Sequence, residues 1–182
     1  MSASGFPTIS ADPAYGAGVA MLAQRGGQAP PFSLAGRILP GRVLSVYDGD
    51  TLTLALPIFG EVFKFSVRIS GIDTPEIKSK QLENKLRAIK ARNRVLCLCG
   101  LASVGSDEAL SKKEIETRLG AQVCMVHVEC GEFDKYGRLL VTLRAGYGAP
   151  SFANVLMSEG LAYAYSGDTK LTENEQVAAL DG

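Results

Sequence analysis

Apolar and polar positions change rhythm several times along the chain, and each change predicts an element. Between residues 42 and 70 apolar residues recur at every second position, the period of a strand with one buried face. Residues 42–47 read as a first strand. Asp48-Gly49 supplies a hairpin turn, and residues 51–56 follow with Leu52, Leu54 and Leu56 on one face. Residues 61–70 form a third strand, with Phe63, Phe65, Val67 and Ile69 on one face and Val62 and Lys64 on the other. From residue 80 to about residue 100 the period lengthens to that of a helix. Leu82, Leu86, Ile89 and Leu96 recur, and Asn93 stands where the stripe would continue.

Residues 102–120 read as an insert: a loop, then a short polar helix over 111–119, where Ser111 and Glu114 have the spacing of a capping box. Residues 122–129 are a fourth strand, with Val123 and Met125 as a loosely alternating apolar face. Residues 138–144 are a fifth. A helix over 152–159 is stopped by Gly160. Five strands, with a helix after the third and another after the fifth, predict an α+β fold: a small closed barrel of the OB-fold type with flanking helices. Strand order is not contained in the pattern.

Outside this core the rhythm fades. Residues 1–36 carry only Asp12 and Arg25 as charges and are rich in Gly, Ala, Ser and Pro, which reads as a poorly ordered leader with room for a short helix at 19–24. Residues 171–182 are polar, a weak helix or a tail. The expected division is therefore leader 1–36, one domain over 37–170, and a C-terminal tail 171–182.

Composition narrows the class. The chain has 182 residues, 46 % of them hydrophobic and 21 % charged, as in an ordinary globular domain. No apolar run approaches the roughly 20 residues that span a bilayer, and no secretory signal precedes the domain. The expectation is an intracellular, cytoplasmic protein with no membrane and no obligate protein partner. Formal net charge is zero, but residues 41–100 carry ten Lys/Arg against six Asp/Glu, and residues 101–182 seven against twelve. A basic groove is compatible with that asymmetry. The cysteines Cys97, Cys99, Cys124 and Cys130 read as free thiols. A zinc site on Cys124, His127 and Cys130 is disfavoured, because on a strand His127 points away from both cysteines.

Three segments concentrate polar residues where a barrel has strand ends: Asp48-Gly49-Asp50-Thr51, Arg68-Ile69-Ser70-Gly71-Ile72-Asp73-Thr74-Pro75-Glu76, and Asp134-Lys135-Tyr136-Gly137-Arg138. Each alone has a bland reading: a hairpin turn, a helix start, a turn feeding a strand. Asp48 does not open an EF-hand, since Thr53 and Phe59 stand where Gly and Glu are needed. Chemically the set suits phosphodiester hydrolysis. Guanidiniums offer paired N–H donors to phosphate oxygens, two carboxylates make a hard oxygen site for a cation such as calcium, and a spare carboxylate can take a proton from water.

The three motifs, in this order and with this internal spacing, resemble the staphylococcal nuclease (thermonuclease) family over residues 41 to 167. The segment Asn154-Val155-Leu156-Met157-Ser158-Glu159-Gly160-Leu161-Ala162 is similar to that family's helix after the fifth strand. The resemblance implies a staphylococcal nuclease-like barrel and a Ca²⁺-dependent nuclease acting on DNA and/or RNA, leaving 3′-phosphate and 5′-hydroxyl ends. It implies Asp50, Asp73 and the Thr74 carbonyl as calcium ligands. Glu76 would be the general base on a metal-associated water, and Arg68 and Arg138 the holders of the scissile phosphate. Tyr136 and Tyr165 would contact substrate. The insert at 102–120, the neutral charge and the short segment after Tyr165 depart from the family pattern. The competing reading is a non-catalytic module of the same fold that binds nucleic acid or protein. Such modules typically lack parts of the acid–arginine set, which this chain keeps.

Overall fold

A computed structural model describes residues 13–102, 104–167 and 170–181. The chain divides after Ser33. In the first unit Pro13–Arg25 is a helix, α1, followed by a 3-10 turn at Gly26–Gln28. No side chain of α1 is buried. This helix is longer than the 19–24 segment of the sequence reading, and residues 1–12 of the expected leader lie outside the described residues.

The second unit begins at Leu34, three residues earlier than expected, because Leu34 is buried in the core. Its strands are β1 (Ile38–Val46), β2 (Thr51–Ile58), β3 (Glu61–Ile69), β4 (Ile72–Asp73), β5 (Met125–Phe133), β6 (Leu139–Arg144) and β7 (Tyr163–Ala164). Its helices are α2 (Leu82–Leu98), α3 (Lys112–Ala121), α4 (Phe152–Ser158) and α5 (Glu173–Asp181). Five strands close into a barrel in the order β1-β2-β3-β6-β5. All pairings are antiparallel except β3 with β6. The protein is thus α+β with an OB-fold-like barrel. Leu52, Leu54 and Leu56 of β2 fill its interior with Val67 and Ile69 of β3 and Leu139, Val141 and Leu143 of β6. Each such side chain contributes about 1.5–3 kcal/mol by leaving water.

Two faces differ from the sequence reading. Along β5 and the two residues before it the core is lined by Cys124, Val126, Val128 and Cys130, while Val123 and Met125 are exposed. A one-residue change of phase exchanges the faces of a strand, and here Val126, Val128 and two small thiols point inward in place of Val123 and Met125. His127 accordingly lies on the opposite face from Cys124 and Cys130. On β3, Phe63 is half-exposed and Phe65 only partly buried, its ring 6.4 Å from that of Phe133. The parallel pairing with β6 covers only Val67–Ile69, so the earlier half of β3 has β2 alone as a neighbour.

The helical stripe is also corrected. Ile89, Asn93 and Leu96 of α2 are buried as expected, but Leu82 and Leu86 are exposed, and Asn84, Ala88, Ala91, Arg92 and Val95 are buried beside them. Near its N-terminus α2 is met by α5 through polar contacts, while Ala91 faces the β1–β2 turn and Val95 joins the core. Asn84 Nδ2 donates to the Glu173 carbonyl (3.0 Å), and Arg87 Nη2 to Asp181 Oδ1 (2.6 Å). Residues of the expected tail are therefore a docked helix. The insert is likewise integral. Ser111 and Glu114 form the reciprocal capping box of α3, Ile115 and Leu119 are buried in the core, and α3 packs on β1. Asn93 Nδ2 binds the Gly105 and Glu108 carbonyls at 2.8 and 2.9 Å, fixing the loop before α3. At α4, Gly160 takes a positive φ of 65° and lets Leu161 N–H reach the Leu156 carbonyl at 2.8 Å, closing the helix. Among the described residues no helix is long and apolar enough to cross a membrane.

Candidate active site

The polar motifs sit on three connections. The first is the β1–β2 turn. Tyr47 N–H donates to the Thr51 carbonyl at 2.9 Å, which folds Asp48, Gly49 and Asp50 into the turn. A Cβ on Gly49 would come within 2.8 Å of Ala91 Cβ and 2.9 Å of Thr74 Cγ2. Only glycine lets this turn approach both α2 and the second motif so closely. Asp48 is buried, and its Oδ1 accepts from Ile77 N–H at 3.0 Å, tying the turn to the segment that carries Glu76. Burial pushes the Asp48 pKa up. Arg92 of α2 lies near enough to act on that charge, and is itself buried with Nε and Nη2 unpartnered by protein atoms.

The second connection joins β3 through β4 to α2. Arg68, near the end of β3, places Nη1 2.9 Å from Asp50 Oδ2 and Nη2 2.6 Å from Asp73 Oδ1. One planar guanidinium thus bridges both buried carboxylates. β4 pairs with β7, setting Asp73 opposite Tyr163, and the Tyr163 hydroxyl donates to Asp73 Oδ2. The two acids have opposite electrostatics. Desolvation pushes Asp50 up to about 6, against the Arg68 charge and the Thr51 hydroxyl. Desolvation also acts upward on Asp73, but hydrogen bonds from Tyr163 and Arg68 and the Lys170 charge outweigh it, and its pKa is lowered. Burial alone would lower the Arg68 pKa; the two carboxylates raise it. Glu76 is far more open, and its Oε1 lies 2.6 Å from Lys170 Nζ.

The third connection is the β5–β6 turn. Asp134 organises it. Its Oδ1 accepts from Tyr136 N–H (2.8 Å) and Arg138 N–H (2.9 Å), and its Oδ2 from Arg138 Nε (2.7 Å). This aims the Arg138 guanidinium, whose carbon lies 5.5 Å from the Tyr136 ring centroid. Tyr165, just after β7, is held by its N–H to the Gly71 carbonyl at 3.0 Å, and the Arg68 guanidinium lies 5.4 Å from its ring.

These connections enclose two adjoining cavities of about 510 and 290 Å³. Asp50 and Thr74 line the smaller; Asp73, Tyr136 and Tyr165 line the larger; Arg68, Glu76 and Arg138 line both. All eight residues singled out in the sequence therefore border one composite site. Four more residues reach or border the site. Tyr163 and Lys170 reach the acidic pair from beyond α4, outside every motif. Tyr47 and Lys78 flank the smaller cavity, Lys78 Nζ lying 5.7 Å from the Tyr47 ring. The placement of Tyr163 and Lys170 had no local signal.

The donor chemistry fits a hard cation. Asp50 and Asp73 converge on a single guanidinium, and burial raises the cost of the Asp50 charge, a cost that a nearby cation would offset. The Thr74 hydroxyl is buried without a protein partner. Among the described residues no group of three His, Cys, Asp or Glu side chains gathers as a ready-made metal cluster. A cation here would be held by the two carboxylates, with further oxygens from backbone, water and phosphate, which suits the adaptable oxygen coordination of calcium. No protein-family model matches the chain, and no curated protein matches it.

Proposed function

We propose that this protein is a calcium-dependent phosphodiesterase of the staphylococcal nuclease type that hydrolyses DNA or RNA. One observation carries the reading: residues from three separate motifs, Asp50, Arg68, Asp73, Glu76 and Arg138, border one pair of cavities, with Arg68 bridging the two acids at 2.9 and 2.6 Å. Nothing in barrel packing requires two buried carboxylates beside an open carboxylate and a second guanidinium. A stability role alone is a poor account, because buried ion pairs seldom outperform apolar packing.

In this mechanism Arg138 and Arg68 hold non-bridging oxygens of the scissile phosphodiester and stabilise the charge that grows on them during attack. Among the described residues Asp134 engages only Nε of the Arg138 side chain, which would leave the paired Nη donors for the substrate. Bound between Asp50 and Asp73, calcium would supply Lewis-acid stabilisation of the same phosphate. Glu76, open to water, takes a proton from the attacking water molecule. The new P–O bond forms as the bond to the 5′-oxygen breaks; that oxygen departs with the bonding electron pair and takes a proton from solvent water to become a hydroxyl, and the phosphate stays on the 3′-oxygen. Tyr136 and Tyr165 present ring faces to the flanking nucleotides, where stacking is tolerant of base identity.

The test is incubation with single-stranded DNA and with RNA, in calcium and in excess chelator. Cleavage in calcium that stops in chelator, with new 3′-phosphate ends, is the expected result. Full cleavage in chelator would overturn the metal requirement. Binding of either strand without cleavage under any condition would make the protein a binding module instead.

A further inference from the structure

Four residues line both cavities: Arg68, Glu76, Arg138 and Lys170. A strand passing from one cavity to the other must cross this wall, and three of its four members are cations. Lys170 is the one that no motif contains. Its Nζ lies 2.6 Å from Glu76 Oε1 and 3.6 Å from Asp73 Oδ2, and its side chain is 39 % exposed. It is neither a buried structural ion nor a freely solvated surface lysine. A lysine paired to an open carboxylate at a surface contributes little to stability, so the fold gains little from putting it there.

We propose that Lys170 is a third cation for the phosphodiester, held on Glu76 in the free protein and passed to a non-bridging phosphate oxygen when a strand binds. The inference rests on the phosphodiesterase reading and deepens it: the ligand is the phosphodiester backbone of single-stranded nucleic acid. A lysine suits the exchange. Its ammonium is a point charge with three rotatable donors on a flexible stem, so it can move between two anionic partners that a planar guanidinium would have to meet edge-on. The transfer has a consequence for Glu76. While the pair is intact, one oxygen of Glu76 is occupied by a donor; once phosphate draws Lys170 away, both oxygens are free to accept a proton from water. Substrate arrival and release of the base then become a single event.

The experiment measures affinity of the full chain for a fluorescent thymidine octamer in excess chelator, by anisotropy across a range of salt concentrations. Each phosphate contact on a single strand contributes about −0.7 to the slope of log K against log salt. Lys170→Gln is expected to weaken binding about tenfold at low salt and to flatten the slope by about 0.7, while Lys170→Arg keeps the slope. Arg138→Gln serves as the positive comparison. Lys113→Gln, on α3 outside both cavities, should leave the slope at the parent value. A parent-like slope in Lys170→Gln alongside a flattened one in Arg138→Gln would overturn the role of Lys170 alone. Equal flattening by Lys113→Gln would reduce the effect to bulk charge and also overturn it. A parent that neither binds the octamer nor cuts strands in calcium would overturn the phosphodiesterase reading and this inference with it. Lys170→Met provides a second neutral variant should the glutamine one be poorly folded.

Discussion

The site has two halves built on different principles. In the buried half, Asp48, Asp50, Asp73 and Thr74 are all nearly inaccessible, and the acids are met by donors from within the protein: Ile77 N–H, the Arg68 guanidinium, the Thr51 and Tyr163 hydroxyls. In the open half, Glu76, Lys135, Tyr136 and Arg138 stand toward solvent. Here Asp134 fixes the backbone of the turn and one nitrogen of Arg138, and no acceptor among the described residues claims that side chain's remaining donors. The buried half stores charge whose neutralisation depends on neighbours staying in place; in the proposed reading the open half holds the donors for a ligand. Substitutions in the first should therefore be felt in folding as well as in function, and substitutions in the second in function alone.

The largest contrast is between Asp73→Ala and Glu76→Gln. Removing Asp73 leaves Arg68 with Asp50 as its one carboxylate and the Tyr163 hydroxyl without its acceptor in a desolvated site. Breaking a buried pair from one side typically costs about 3–5 kcal/mol, so the urea midpoint should fall clearly and cleavage should vanish. Glu76→Gln keeps shape in a solvated position. Its midpoint should match the parent while the rate drops by about 10²–10⁴, the usual worth of positioned proton transfer. Equal stability loss in both variants would erase the distinction between the halves, and a rate within a few-fold of the parent for Glu76→Gln would falsify its assignment as base.

A smaller effect separates the two buried acids from each other. The Asp50 pKa is raised to about 6, so the folded state binds its proton more readily than the unfolded chain. Its charge therefore opposes folding fully above about pH 6, and that penalty fades as pH falls toward 4. The Asp73 pKa is lowered, so Asp73 stabilises the fold above its unfolded value, and that contribution is lost as pH falls through the folded one. Measured by urea unfolding, the parent should gain stability relative to Asp50→Asn between pH 7 and pH 5. Relative to Asp73→Asn it should lose stability below about pH 4, where an unfolded Asp begins to take up its proton. A profile for Asp50→Asn parallel to that of the parent would show that the two acids share their burden equally.

The open half and the barrel strands were the more legible parts of the sequence. Leu52, Leu54 and Leu56 alternate because β2 has one face in the core along its length, and the Asp134–Arg138 turn is self-contained. Legibility failed where tertiary contacts decided. Val123 and Met125 looked like the core face of β5 because they are larger than Cys124 and Cys130, which occupy it with Val126 and Val128. Leu82 and Leu86 looked like the buried stripe of α2, but α5 takes the neighbouring face through Asn84 and Arg87. Lys170 and Tyr163 lie about 90 residues from the acids they contact. Only the pairing of β4 with β7, two residues each, brings Tyr163 to Asp73, and strands that short leave no periodic trace.

The finest comparison removes one hydroxyl from each half. Tyr163 is buried, and its hydroxyl donates to Asp73 Oδ2, the oxygen that Arg68 does not reach. Tyr163→Phe keeps the ring and its packing but withdraws that donor from a carboxylate with little access to water. A buried acceptor deprived of a partner costs about 1–3 kcal/mol, and Lys170 at 3.6 Å is near enough to recover part of it. The expected destabilisation thus sits at the lower end of that range, and the Asp73 pKa should rise, because this hydrogen bond is one of the interactions that hold it down. Tyr136 is 72 % exposed, so Tyr136→Phe should leave the urea midpoint unchanged and, since the ring face is what a base would stack on, leave octamer affinity nearly unchanged as well. Tyr136→Ala should weaken that affinity by about 1–3 kcal/mol, the usual worth of one stacked base. Should Tyr163→Phe prove silent in both stability and the Asp73 titration, followed by carbon-detected NMR, the buried half would be neutralised by Arg68 alone. The difference between the halves would then reduce to the placement of a single guanidinium.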